Sequence, residues 1–162
     1  MEWKIRKIEK KDNATVENII RSCLIEFGAN HEGTAWMDPD LGRFSEIYDK
    51  PRHSYWVAED EGGRLIGCVG IGLLPGTPED CDTCELQKMY CIPEARGTGV
   101  AHELMETALN FAKENYERCY LETLENMKAA HRFYEKYGFE RVGKLLEQSD
   151  HFACDISYGR KL

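Results

Sequence analysis

Residues 84–102 read CELQKMYCIPEARGTGVAH. The first part, Glu85–Ile92, is typical of a strand, and a helix is predicted over Thr98–Asn115 after one short loop. Gly97 and Gly99 in that loop let the backbone approach a ligand closely, because neither residue has a Cβ atom. The N-terminus of a helix carries partial positive charge and unpaired N–H groups. The stretch therefore predicts a site for a phosphate or pyrophosphate group.

The composition describes one folded domain. The chain has 162 residues, of which 42% are hydrophobic and 31% are charged, and its net charge is −8. This charge disfavours non-specific binding to nucleic acid, and no apolar run reaches the roughly 20 residues that a membrane helix needs. The seven cysteines are scattered and odd in number, which is typical of reduced thiols. We expect a single cytoplasmic domain over residues 1–162, with neither a nucleic-acid nor a membrane partner.

The spacing of apolar residues predicts the remaining elements. Between Asn13 and Gly28 it indicates an amphipathic helix. Further strands are predicted around Trp3 and over Ser54–Glu59, Arg64–Leu74, Arg118–Glu122, Glu140–Leu146 and His151–Tyr158, and further helices around Arg43–Tyr48 and over Met127–Tyr137. The middle strands form a meander, whereas the later ones are joined through helices. The predicted fold is α/β (α+β), with a mixed, mostly antiparallel central sheet of about six to seven strands and helices on both faces.

Three glycines interrupt the strand predicted over Arg64–Leu74. Gly67, Gly70 and Gly72 carry no side chain, which weakens the packing of a strand. Glycines at such positions mark a bulge or the close approach of a ligand. We therefore expect one of these two features in this strand.

Two later segments add a second pattern. Cys119–Asn126 reads CYLETLEN, and Ala129–Phe139 reads AAHRFYEKYGF. Together with the Arg-x-x-Gly-x-Ala loop at Arg96–Ala101, they resemble the core of the GNAT superfamily of acyl-CoA-dependent N-acyltransferases. In that family a strand, an Asn-x-x-Ala helix carrying Phe/Leu-Tyr, and Gly-Phe follow the loop and its helix in this order. The resemblance covers residues 84–140 well, residues 54–74 by strand pattern only, and residues 1–50 hardly at all.

The resemblance implies acetyl-CoA as co-substrate and no metal. It implies that the strand backbone pairs with the pantetheine arm, that N–H groups of the loop and helix start hold the pyrophosphate, and that an asparagine contacts the pantetheine region. The cofactor-binding residues implied in this way are Met89, Tyr90, Cys91, Arg96, Gly97, Thr98, Gly99, Val100, Ala101 and Asn126.

The resemblance also implies two catalytic residues. Tyr134 falls where the family often places a tyrosine near the CoA sulfur, and Glu85 falls where histone-type members place a glutamate. We predict Glu85 as the base that takes the proton of the amine. An alkyl ammonium has a pKa of about 10 and an ordinary glutamate one of about 4.3, so direct transfer is uphill by about 8 kcal/mol. Glu85 therefore needs desolvation, or a water chain that moves the proton in step with the attack.

Two other classes of protein remain as alternatives. A nicotinamide-dinucleotide enzyme is suggested by Gly97-x-Gly99 and by Glu122 near the end of the next strand, although His102 stands where a third glycine is expected. A CoA-binding sensor or interaction module without turnover would share the CoA motifs. Cys81-x-x-Cys84 has the spacing of a metal site but lacks a second pair of ligands.

The acceptor is expected to be a small-molecule or peptide amine. Polyamines, amino acids, aminoglycosides and protein amines all fit the predicted chemistry. The first helix, the irregular segment 29–52 and the last two strands should form the acceptor site. The sequence leaves open whether the chain forms a homodimer.

Overall fold

Regular apolar spacing produces the strands and helices of this chain. The computed structural model describes residues 1–143, 153–154 and 156–162. The elements in these ranges are β1 (Trp3–Lys7), α1 (Asn13–Glu26), α2 (Phe44–Ile47), β2 (Ser54–Asp60), β3 (Leu65–Gly72), β4 (Thr83–Cys91), α3 (Val100–Asn115), β5 (Arg118–Thr123), α4 (Lys128–Lys136), β6 (Glu140–Arg141) and β7 (Ile156–Lys161). Within these ranges no helix combines the length and the apolar character that a membrane crossing requires.

The strands form one seven-stranded sheet in the order β1-β2-β3-β4-β5-β7-β6. β1 to β4 are an antiparallel meander, and β7 lies antiparallel between β5 and β6. β4 and β5 are parallel and are joined through the crossover helix α3. The predicted mixed, mostly antiparallel sheet is confirmed.

Neighbouring residues of β2 show that helices cover both faces of the sheet. Trp56 packs against Phe111 of α3, with ring centroids 5.2 Å apart. The preceding Tyr55 packs against Phe44 of α2 at 4.9 Å. Because successive side chains of a strand point to opposite faces, α2 and α3 lie on opposite faces. β3, in the middle, is buried along its whole length, as expected for a strand that is covered on both sides.

Several boundaries differ from the sequence prediction, and two of these differences have a clear physical cause. α3 begins at Val100, two residues later than predicted, because Gly99 before it has a left-handed conformation with φ of 98°. β7 extends to Lys161, past the predicted end at Tyr158, because it keeps pairing with the first residues of β5 there.

Parts of the last two predicted strands cannot be compared. The strand predicted over Glu140–Leu146 is observed at Glu140–Arg141, and its residues 144–146 lie outside the described residues. The same holds for residues 151, 152 and 155 of the strand predicted over His151–Tyr158.

Candidate active site

β4 and β5 lie side by side only where they begin. The described pairing comprises three residue pairs, the last of which joins Glu85 to Tyr120, although both strands continue beyond it. A bulge in β4 accompanies the separation, because Lys88 has a φ of 49° and the register with β3 shifts between Cys68 and Gly70. The two strands therefore open into a cleft whose walls carry backbone N–H and C=O groups.

The cleft is lined by residues of two strands and two helices. It encloses about 690 Å³ when the open solvent at its mouth is included. Glu85–Tyr90 of β4 line one wall, and Leu121–Thr123 of β5 line the other. Leu24 of α1 and Tyr134 of α4 also line the cleft. Both residues predicted to be catalytic thus face one cleft, together with Met89 and Tyr90.

Glu85 is half-buried at the point where the strands diverge. Its Oε1 accepts a hydrogen bond from Nε2 of Gln87 at 2.7 Å. Glu122 also lines the cleft. The cleft therefore has a carboxylate on each wall that can receive the positive charge of an ammonium group.

Tyr134 is placed by a group of aromatic rings at the end of α4. Its ring lies 6.2 Å from that of Phe139 and 6.0 Å from that of Tyr158, between centroids. Burial raises the pKa of Tyr134 to about 12. The phenol therefore keeps its proton at neutral pH. Toward a negatively charged partner, its hydroxyl acts as a hydrogen-bond donor.

The loop before α3 has the shape that its glycines predict. Gly97 has a φ of 80°, and a Cβ atom built on it would meet nothing within 4 Å. The N–H groups of Arg96 and Thr98 donate inside the loop, to Pro93 O at 3.2 Å and to Ala95 O at 3.3 Å. These two N–H groups thus already have acceptors within the loop, and their contact with a pyrophosphate stays a prediction.

The start of α3 supplies the other N–H groups of this region. Gly99 precedes the helix, and the N–H of Val100 lies 3.4 Å from Thr98 Oγ1. The first N–H groups of a helix have no carbonyl partner within it. Gly97, Gly99 and Ala101 remain the best candidates for an anion.

Two residues that were predicted to bind cofactor have side chains that contact the end of α1. Nη1 and Nη2 of Arg96 bind the carboxylate of Glu26 at 2.5 and 2.8 Å, and the hydrogen bond lowers the pKa of Glu26. Asn126 Nδ2 donates to the Phe27 carbonyl oxygen at 3.0 Å. Cys91 also lies at this junction, because its carbonyl oxygen accepts from Arg96 Nη2 at 3.2 Å. These side-chain contacts give the three residues a structural role that local spacing does not reveal.

Sequence reasoning missed an ion pair beside the cleft. Lys88 Nζ lies 2.6 Å from Asp38 Oδ2, and their side chains are only 13% and 17% exposed. Lys88 lies in a strand and Asp38 in an irregular segment, and no sequence pattern links two residues of this kind. The pair connects the segment 29–52 to the wall of the cleft.

The cysteine pair with metal spacing does not form a metal site in the part of the chain that the structure describes. Cys84 is buried, and its thiol donates to the Arg118 carbonyl oxygen at 3.5 Å. In the described ranges no group of three or more His, Cys, Asp or Glu side chains is arranged to hold a metal ion.

Comparison with known proteins identifies the family. The sequence profile of the Acetyltransferase (GNAT) family matches residues 15–139. The chain is also 38% identical, over 98% of its length and 94% of the relative's, to the uncharacterized N-acetyltransferase YjgM of Escherichia coli strain K12. The chain therefore belongs to the GNAT acetyltransferase family and is an acetyltransferase.

Further similarities extend to a named enzyme and to solved structures. The chain is 36% identical to the N-acetylaspartate synthetase of Danio rerio over 65% of its own length, and it spans 36% of that protein. It superposes on a GNAT-family acetyltransferase of Staphylococcus aureus Mu50 with a TM-score of 0.84, at 19% identity and 99% coverage of both chains. An acetyltransferase of Streptococcus agalactiae gives a TM-score of 0.81, at 21% identity, over 99% of this chain and 98% of that one. The structural matches support the fold.

Proposed function

We propose that this acetyltransferase moves an acetyl group from acetyl-CoA to a primary amine by direct attack in a ternary complex. The observation that carries the proposal is the separation of β4 and β5, which brings Glu85 and Tyr134 to one cleft. β4 leads from this cleft to the glycine loop at the start of α3. One continuous segment thus offers a strand edge and an anion site.

The residues present fit acetyl-CoA. The edge of β4 at Met89 and Tyr90 faces the cleft and can pair with the amides of an extended arm, as an added strand does. At Gly97 the space that a side chain would fill is open, so a pyrophosphate can approach the N–H groups of the loop. When bound, acetyl-CoA supplies an activated thioester.

Glu85 takes the proton of the attacking amine in this proposal. An ordinary glutamate is a weaker base than an amine by about six pKa units, so the proton moves as the N–C bond forms or passes through water. An N–H group of β4 near Met89 or Tyr90 polarises the carbonyl of the acetyl group.

Tyr134 stabilises the departing thiolate. A phenol with a pKa of about 12 is a weaker acid than a thiol, whose pKa is about 8.5. Tyr134 therefore keeps its proton and donates a hydrogen bond to the sulfur as negative charge develops there. The thiolate then takes a proton from solvent, and Glu85 returns the proton of the amine to solvent.

The proposed donor site is tested by binding. Acetyl-CoA and CoA should raise the melting temperature, whereas NAD should not. Gly97→Glu should weaken acetyl-CoA binding by at least about tenfold, because the new carboxylate repels a pyrophosphate. Gly76→Glu is the matched control, since Gly76 has a φ of 83° and equally open space; it should bind acetyl-CoA as the unmodified protein does.

Turnover separates an enzyme of this kind from a CoA sensor. Free thiol should appear only when acetyl-CoA and an amine are both present, and a panel of polyamines, amino acids, aminoglycosides and lysine peptides identifies the acceptor. Binding of acetyl-CoA without thiol release by any amine would favour the sensor. Stabilisation by NAD alone would refute the proposed donor.

Tyr134→Phe should lower kcat by about 10- to 100-fold while leaving the Kd for acetyl-CoA within about twofold. The substitution keeps the ring and removes only the hydroxyl that faces the sulfur. Tyr137→Phe is the control, because that hydroxyl bonds to His102 Nδ1 at 2.8 Å instead. A fully active Tyr134→Phe enzyme, measured by thiol release, would remove the proposed role of Tyr134.

A further inference from the structure

Gln87 links Glu85 to a tyrosine outside the sheet. Its Nε2 donates to Glu85 Oε1 at 2.7 Å and to the Leu73 carbonyl oxygen at 3.3 Å. Its Oε1 accepts a hydrogen bond from the Tyr48 hydroxyl at 2.6 Å. The Leu73 carbonyl can only accept, so the amide nitrogen must face it. The second proton of that nitrogen is then directed at Glu85.

Two glycines of β3 make room for this arrangement. A Cβ atom on Gly72 would lie 2.8 Å from Gln87 Oε1, and one on Gly70 would lie 2.5 Å from the ring of Tyr55 and 3.0 Å from that of Tyr48. A side chain at either position would therefore push against the amide or against the two rings. The space beside these two glycines is thus filled by side chains of the protein itself, Gln87 at Gly72 and Tyr55 with Tyr48 at Gly70.

The tyrosine end of the network is held firmly. Tyr48 is 8% exposed, and its ring contacts those of Phe44 and Tyr55 at centroid distances of 5.3 and 5.0 Å. Tyr55 donates its hydroxyl to the Lys88 carbonyl oxygen at 2.7 Å, which fixes the residue that follows Gln87. Burial raises the pKa of Tyr48 well above its ordinary value, so its hydroxyl keeps its proton and remains a donor.

We propose that Gln87, held by Tyr48 and by the Leu73 carbonyl, is a positioning residue that orients the carboxylate of Glu85 in the cleft. This inference rests on the proposed role of Glu85 as the base. A fixed N–H donor holds one carboxylate oxygen in place and stabilises the ionised form. Gln87 therefore orients the carboxylate of Glu85 and keeps it ionised at a lower pH than it would be without this donor. Tyr48 directly follows α2 and lies in the segment 29–52, which we expect to contribute to the acceptor site. The folding of this segment is therefore coupled to the orientation of the base.

The test is the dependence of kcat on pH at saturating acetyl-CoA and amine. Gln87→Met has a similar length but no donor, so the ionised form of Glu85 loses support. The acid limb should move to higher pH by about one unit, and kcat should fall by about tenfold, with the KM for acetyl-CoA within about twofold. The amine titrates identically in every variant, so a displacement of the limb belongs to the protein.

Two tyrosine variants provide a matched comparison. Tyr48→Phe removes only the hydroxyl that holds Gln87, and the acid limb should move in the same direction by a smaller amount. Tyr116→Phe removes an equivalent hydroxyl that donates to the Arg52 carbonyl oxygen at 2.6 Å. Its limb should coincide with that of the unmodified protein, and an equal displacement in both variants would overturn the inference.

Gln87→Glu keeps the test decisive if Gln87→Met fails to fold. It retains the shape and the acceptor for Tyr48 but places a like charge against Glu85, so the limb should move further up. If Glu85→Gln removes the limb while both Gln87 variants leave it unmoved, the positioning role is wrong and the base role stands. If Glu85→Gln retains the limb, the base role falls and the inference falls with it. Absence of thiol release from the unmodified protein would refute the proposed function itself.

Discussion

Glu85→Gln is expected to lower kcat for acetyl transfer by about 10²- to 10³-fold. The amide has the shape of the carboxylate, and its oxygen can still accept the hydrogen bond from Gln87 Nε2, but it cannot take a proton from the amine. The rate of the unmodified enzyme should fall at low pH as Glu85 becomes protonated. In the variant this acid limb should be lost, leaving only the titration of the amine. Thiol release at saturating acetyl-CoA over a range of pH measures both effects.

The control for this substitution is Glu61→Gln in the exposed turn between β2 and β3. It removes the same charge away from the cleft, and its kcat and pH profile should match those of the unmodified enzyme. If Glu85→Gln keeps the full kcat and the acid limb, Glu85 is not the base. Glu122, the other acid in the cleft wall, would then be tested by the same change.

Arg6→Met is expected to lower the free energy of unfolding by about 3 kcal/mol. Nη1 and Nη2 of Arg6 bind the two oxygens of Asp12 at 2.7 and 3.0 Å, and its Nε binds Glu59 at 2.8 Å. Asp12 is only 4% exposed. Methionine fills a similar volume but leaves a buried carboxylate without its charge partner. Urea unfolding at neutral pH measures the loss.

The same network predicts how the loss depends on pH. Burial acts to raise the pKa of Asp12, but hydrogen bonds from Arg6 and from the Glu9 N–H, with the charge of Arg6, lower it below its ordinary value of 3.8. The contribution of Asp12 is therefore fully present above about pH 4 and is lost as the pH falls through the lowered pKa. Without Arg6, burial dominates and protonation of Asp12 becomes favourable. The difference in stability between the two proteins should thus begin to shrink already above about pH 4, where Asp12 of the variant becomes protonated, and should go on shrinking until the pH has fallen through the lowered pKa of the unmodified protein.

Arg43→Met is the matched control for this prediction. Arg43 lies 3.7 Å from Asp40 and 3.3 Å from Glu46, and its side chain is 53% exposed. Exposed ion pairs of this kind contribute about 0–1 kcal/mol, so this variant should unfold at nearly the same urea concentration as the unmodified protein. Equal losses of unfolding free energy in Arg6→Met and Arg43→Met would show that the Arg6 network stabilises the protein no more than an exposed ion pair does.

Local patterns in the sequence were sufficient for most elements of the fold. Examples are the alternation in β4, the apolar spacing in α1 and α3, and the two glycines Gly97 and Gly99. Each of these patterns comes from residues that are close together in the chain and that share one local backbone conformation. The ends of elements were less well predicted. Residues 159–161 continue β7 because β5 offers them partners, and that pairing joins residues about forty positions apart.

Sequence patterns did not predict which side chains of different elements contact each other. Arg96 stands in a motif that predicts a ligand contact, yet the fold brings Glu26, seventy positions away, to its guanidinium. Gln87 reads as an ordinary strand residue, yet its amide joins Glu85 to Tyr48, which is 39 positions away. Both sequence separations are far longer than the repeat of a helix or a strand, so no local pattern indicates these contacts.

The amino-acid sequence was enough to predict the order of strands and helices along the chain, the glycine loop before α3 and, through its motifs, the resemblance to the GNAT family. The folded chain was needed to show where β4 and β5 separate, which N–H groups of the loop already have acceptors, and which side chains contact Glu85. Backbone conformation and the burial of one face follow from neighbouring residues. Contacts between distant residues depend instead on sheet register and on the room left by residues such as Gly72.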